Sequence, residues 1–148
     1  MMIYTSYFGR TRELEQNGIE PIAISRGIPN GFRGRRIMSL APTWDMLKMS
    51  DEAYNRRYEE ILLENDRDSI VESFEGKDVA LLCWEKDEND CHRKRVAEWL
   101  REGGYEAKEY KSEKELKKQA ELEEKARQEK EEEQAQINEP KWQQLKFY

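Results

Sequence analysis

Short apolar runs and longer amphipathic ones take turns along this chain. "MIYTSYF", residues 2–8, is rich in β-branched and aromatic types and predicts a first strand. "GRTRELEQNG" follows as a polar turn or short helix closed by Gly18, and "IEPIAIS", 19–25, predicts a second strand with Pro21 at its start. Residues 26–36, "RGIPNGFRGRR", hold three glycines, one proline and four arginines and read as a loop. From Thr43 to Phe74 the period becomes helical. Trp44, Leu47, Tyr54, Tyr58, Ile61 and Leu62 recur at three- and four-residue spacings, Ser50 with Asp51–Glu52 marks a helix start, and a short helix over 66–74 ends at Gly76. "KDVALLCW", 77–84, is the most apolar run and predicts a central buried strand. A helix over 91–102 follows, capped by Asp90, with Val96, Trp99 and Leu100 inward and Gly103–Gly104 as its stop. "YEAKEY", 105–110, alternates and predicts a last strand at the sheet's edge. This succession is that of an α/β fold, a small mainly parallel sheet flanked by helices.

Composition changes the picture at the C-terminus. Charged residues make up 39% of the 148 and apolar ones 36%, so part of the chain is expected outside the core. Residues 111–148 alone carry nine basic and ten acidic residues. "KSEKELKKQAELEEKARQEKEEEQAQ" has high helix propensity and Glu–Lys pairs four apart, but Leu116, Leu122 and Ala126 make no heptads. The expectation is a compact domain over 1–110, a charged solvated helix over 111–139, and an apolar peptide over 140–148. The formal net charge of −6 lies mostly in the body, which argues against a general coat for duplex DNA. "MMIYTSYFGRTRE" shows no signal peptide, and no run approaches the ~20 apolar residues of a membrane span. A cytoplasmic location follows as an expectation, with Cys83 and Cys91 as reduced thiols.

Both cysteines and the sole histidine fall within "LLCWEKDENDCHRKRVAEWL", 81–100. Capped by Asp90, the helix would place Cys91, His92 and Arg93 at its first three positions, where unpartnered backbone N–H groups and the positive dipole end favour an anion or a thiolate. In a parallel sheet this point lies beyond the carboxyl end of the preceding strand, where such folds bind ligands. The first strand would deliver Ser6, Tyr7 and Arg10 to the same edge; the second would deliver Arg26 and the loop containing Arg33. With Glu85 as an acid, these residues outline a site for a phosphate-bearing or otherwise anionic ligand.

At these residues the chain resembles the bacterial, archaeal and phage family catalogued as domain of unknown function 488. "LLCWEKDENDCHRKRVAEWL" is similar to that family's hallmark segment, and "IYTSYFG" and "IAISRGIP" to its first two strands. The resemblance covers roughly residues 3–110. It implies a compact α/β domain with a suspected enzymatic activity and no settled reaction, and it carries over Arg26, Glu85, Cys91, His92 and Arg93 as site residues. The charged tail lies outside it.

Each signal has a plainer reading. Cys83 sits in a continuous apolar run and reads as a core thiol. Cys91 is either an inert residue at a helix start or part of a reactive anion site. Zinc on Cys83, Cys91 and His92 is disfavoured, since ligand pairs such as C-x₂-C are missing and no second histidine exists. No metal and no cofactor are therefore expected. "GxSxG" is absent, and "GFRGRR" lacks the Gly-Lys-Ser/Thr ending of a P-loop. The arginines of 26–36 either meet phosphate or pair with Glu20 or Asp45, and Trp44, Tyr54 and Tyr58 read as core packing rather than base-stacking platforms. "QLKFY" at the end resembles the peptides by which bacterial replication proteins dock on the sliding clamp. Trp142, Leu145, Phe147 and Tyr148 thus offer an alternative function: a non-catalytic adaptor holding a partner through its C-terminal aromatic peptide, unless they fold back on the body or self-associate. The leading expectation is a small enzyme: Cys91 as nucleophile, His92 as proton carrier, Arg26 and Arg93 as clamps, and a nucleotide or nucleic-acid phosphate as ligand.

Overall fold

The computed structural model describes residues 1–88 and 91–140. The expected cap Asp90 and the C-terminal residues Trp142, Leu145, Phe147 and Tyr148 lie outside the described residues. Contacts divide the chain into two units, Met1–Tyr110 and Lys111–Tyr148.

In the first unit five strands form one parallel sheet: β1 (Ile3–Tyr7), β2 (Glu20–Ala23), β3 (Arg35–Arg36), β4 (Val79–Cys83) and β5 (Ala107–Glu109), in the order β3-β2-β4-β1-β5. The α/β expectation holds. Every residue of β4 is buried, which is why that strand reads as an unbroken apolar run. Alternation sorts its side chains: Val79 and Leu81 join the larger core with Ile3, Ile22 and Ile24, while Ala80 and Leu82 join a smaller one with Leu14 and Phe8. Helices α2 (Asp51–Leu63), α3 (Arg67–Glu72) and α4 (Arg93–Glu102) cover the first face, and α1 (Thr11–Gln16) the second.

Capping follows the sequence where a hydroxyl or carboxylate was available. Ser50 accepts the Ala53 N–H at the start of α2, and Asp66 accepts that of Ser69 at the start of α3. Past the end of α4, Gly104 takes φ +87°, a conformation glycine adopts without steric cost.

Three expectations need correction. The arginine stretch is not loop throughout, because Arg35 and Arg36 add a strand to β2, with Arg35 paired to Glu20 at 3.1 Å. The segment Trp44–Lys48 is a 3₁₀ turn separate from α2, and it leaves Trp44 63% and Leu47 70% exposed; only Met46 of that segment is buried. Their spacing matched a helix that stops short of them. Finally, α4 begins at Arg93, leaving Cys91 and His92 just ahead of its first turn.

The second unit contains α5 (Glu113–Ile137), started by Ser112, whose side chain accepts the Glu115 N–H. None of its residues is buried, and Leu116, Leu122 and Ile137 are exposed. Among the described residues no helix is long and apolar enough to cross a membrane.

Candidate functional site

The three inner strands run parallel, so their carboxyl ends share one edge, and the chain leaving β4 folds back there before entering α4. Arg93 holds this turn. Its side chain is 0% exposed, and its Nε and Nη2 donate to the two carboxylate oxygens of Glu109 at 2.9 and 3.0 Å. Nη1 donates to the Glu85 carbonyl and to Cys83 Sγ at 3.1 Å, while Nη2 also reaches the Lys86 carbonyl at 2.9 Å. The Glu109 carboxylate accepts in turn from Thr5 Oγ1 at 2.8 Å. A buried guanidinium is tolerable only when its donors are matched, and here a bidentate carboxylate and two carbonyls match them. Arg93 is thereby a bolt between β4, β5 and the returning loop, with its guanidinium turned inward.

The fold-back puts Cys91 over the end of β4 and brings the sulfurs of the two cysteines, eight residues apart, into contact. The Arg93 bolt closes the loop and brings together sulfurs that the sequence spacing alone did not, so the two thiols are placed to pair on oxidation. Cys83 is wholly buried, as its apolar run implied; Cys91 is half-buried.

His92 is buried against Tyr58, ring edge to face with centroids 5.2 Å apart. Its Nε2 lies 2.7 Å from the Ile24 carbonyl oxygen, which can only accept, so Nε2 carries the proton and Nδ1 the lone pair. That lone pair faces Cys91 Sγ at 3.6 Å. Burial pushes the imidazole pKa down to about 4; the Ile24 carbonyl works against this shift and the Arg93 charge adds to it. His92 is therefore neutral at physiological pH.

Cys91 and His92 form one wall of a cleft of about 460 Å³ between the first turns of α2 and α4. Asp51, Tyr54 and Asn55 come from α2, and Lys94, Arg95 and Glu98 from α4. Tyr54 is pushed up to about 12 by burial and by the nearby Glu85 carboxylate, so its hydroxyl stays protonated as a donor. Arg95 pairs with Glu59 at 3.1 Å on its outer side. The cleft therefore offers two cations, a phenol and an amide to a ligand, beside two acids.

The other expected residues disperse around this edge. Glu85 is exposed on the returning loop within electrostatic reach of Tyr54. Arg26 is tied to the Pro42 and Ala41 carbonyls at 3.0 and 3.4 Å, and Arg33 is exposed. Arg10 sits over the rings of Tyr7 and Tyr110 and pairs with Glu13 at 3.1 Å. Ser6, next to Leu82 in register, points to the α1 face, opposite to Cys83. Cys91 and His92 alone among the expected residues line the cleft. The α2 contribution went unseen because periodicity says which side of a helix is apolar but not what its polar first turn faces.

The ligating atoms of Cys83, Cys91 and His92 lie within 4.8 Å of one another, so the fold gathers the three donors whose spacing had argued against a metal. With the cysteines reduced, this Cys₂His set could hold zinc.

No curated protein and no solved structure matches this chain. A family model described as the active DUF488-N3 subclade matches residues 3–104, a span that includes the sheet's three inner strands, the Cys-His-Arg turn and all of α4. The chain belongs to the DUF488 family.

Proposed function

We propose that the cleft between α2 and α4 is a reaction centre for an anionic, phosphate-bearing ligand, with Cys91 as its reactive group. The observation that carries this reading is the cleft itself, which sets a half-buried Cys91 and a neutral His92 beside Lys94, Arg95 and the Tyr54 hydroxyl at the carboxyl edge of a parallel sheet. The first turn of α4 contains no acid, so the positive end of its dipole and its cations add at one spot. The ligand would be a nucleotide or a nucleic-acid end. Arg93 positions the site from beneath, and Arg26 shapes the neighbouring loop rather than gripping the anion. In the reduced protein His92 Nδ1 can accept a hydrogen bond from the Cys91 thiol, and Glu85 tunes Tyr54 from the rim.

A titration with inorganic phosphate, a nucleoside monophosphate and a short single-stranded oligonucleotide tests this reading. The expected result is saturable, salt-sensitive binding of at least one of them, weakened about tenfold by Arg95→Ala, the size of one charge-assisted contact. Equal weak binding to wild type and Arg95→Ala would remove the anion site. The adaptor reading rests on residues 141–148, and a partner captured through Trp142 and Phe147 by a protein that binds none of the three probes would favour it.

A further inference from the structure

We propose that Cys83 and Cys91 are a redox-active pair that exchanges electrons with low-molecular-weight thiols and disulfides through the cleft, Cys91 being the sulfur that reacts first. Four placements support this. The two sulfurs are in contact; Cys91 lines the cleft while Cys83 is sealed beneath it; Arg93 Nη1 donates to Cys83 Sγ at 3.1 Å; and His92 Nδ1 faces Cys91 Sγ at 3.6 Å. An incoming thiolate can reach only Cys91. Its attack forms a mixed disulfide on Cys91 and breaks the bond to Cys83, which departs as a thiolate beside the Arg93 guanidinium. Leaving groups held as thiolates depart faster. A second thiolate attacks the incoming sulfur of the mixed disulfide, releasing Cys91 as a thiolate and the oxidised small disulfide, so two electrons enter the pair and protons come from water. Reversal has Cys91 attack the small disulfide and Cys83 resolve the mixed intermediate. In the reduced form His92 Nδ1 can accept a hydrogen bond from the Cys91 thiol, because its other nitrogen is committed to Ile24.

A pair that merely stapled the fold would not need one cysteine lining a cleft and the other sealed beside a cation. The inference takes from the proposed function only the exposure of Cys91, and its readout involves no phosphate, so either reading can fail without the other.

The test equilibrates the full chain in glutathione buffers from reducing to oxidising, quenches in acid, alkylates, and weighs the products. A single transition between doubly alkylated and unalkylated protein is expected. Cys83→Ser exposed to oxidised glutathione should gain one glutathione, mapped to Cys91, whereas Cys91→Ser should gain none while folded. Because either variant could misfold, the wild type is also reduced briefly with glutathione and quenched, and the trapped mixed disulfide should map to Cys91. Equal adducts on both cysteines would overturn the proposal. So would a reduced protein that retains one zinc per chain and resists oxidation, which would make the three gathered donors a metal site instead.

Discussion

Arg93 shows how far a residue's role depends on a partner distant in sequence. The Cys-His-Arg cluster was legible as something unusual, and its arginine looked like an anion clamp. Its acceptor, Glu109, stands in "YEAKEY", where the period of two puts Glu109 on the same inward side as Ala107; an acid on the inward side of a strand was the signal that a buried cation would meet it there. Glu109→Gln should cost about 3–5 kcal/mol in denaturant unfolding, since removing one partner leaves a buried charge uncompensated. A loss under ~1 kcal/mol would mean that the Glu85 and Lys86 carbonyls suffice. His92 gives a pH dependence with a definite sign. Its folded pKa of about 4 lies below the ordinary 6.5, so between those values the unfolded chain binds the extra proton. Stability should fall as pH drops from about 6.5 to about 4 and level off below, with a contribution on the order of 3 kcal/mol. His92→Gln should flatten that part of the stability–pH curve relative to wild type.

Among the elements, the buried strand β4 and the Ser50 cap were the most legible and the junctions the least. β4 announces itself because a strand buried on both faces has no polar positions, and Ser50 announces α2 because a hydroxyl before two acids is a start signal. β3 gave no sign: two arginines pair with β2 through backbone alone, and their exposed side chains carry no strand pattern. Trp44 and Leu47 imitated a helical stripe, yet the 3₁₀ turn points only Met46 inward. The cleft is made where the starts of α2 and α4 meet, so the α2 cap bears on the site as well as on stability. Ser50→Ala should cost about 1 kcal/mol. Chemical denaturation checks the number, and phosphate binding should weaken in parallel as Asp51, Tyr54 and Asn55 lose their fixed positions.

For the molecule as a whole, composition separated the charged tail from the body well before any contact was known. The contacts place all of the strands in Met1–Tyr110 and none of the buried core in α5. Residues 1–110 alone should therefore melt within a few degrees of the full chain, on the size scaling of small domains. A truncated body that aggregates would tie the tail to the fold. What the sequence could not supply was the meeting of α2 with the Cys-His turn, since that depends on strand order and on the loop drawn in by Arg93. The most direct test of the central claim is an amide NMR titration of the ¹⁵N-labelled protein with a nucleoside monophosphate. Shifts concentrated on 91–95 and 51–55, and saturating together, are the predicted result. Shifts confined to the arginine stretch 26–36, or none at millimolar ligand, would contradict it.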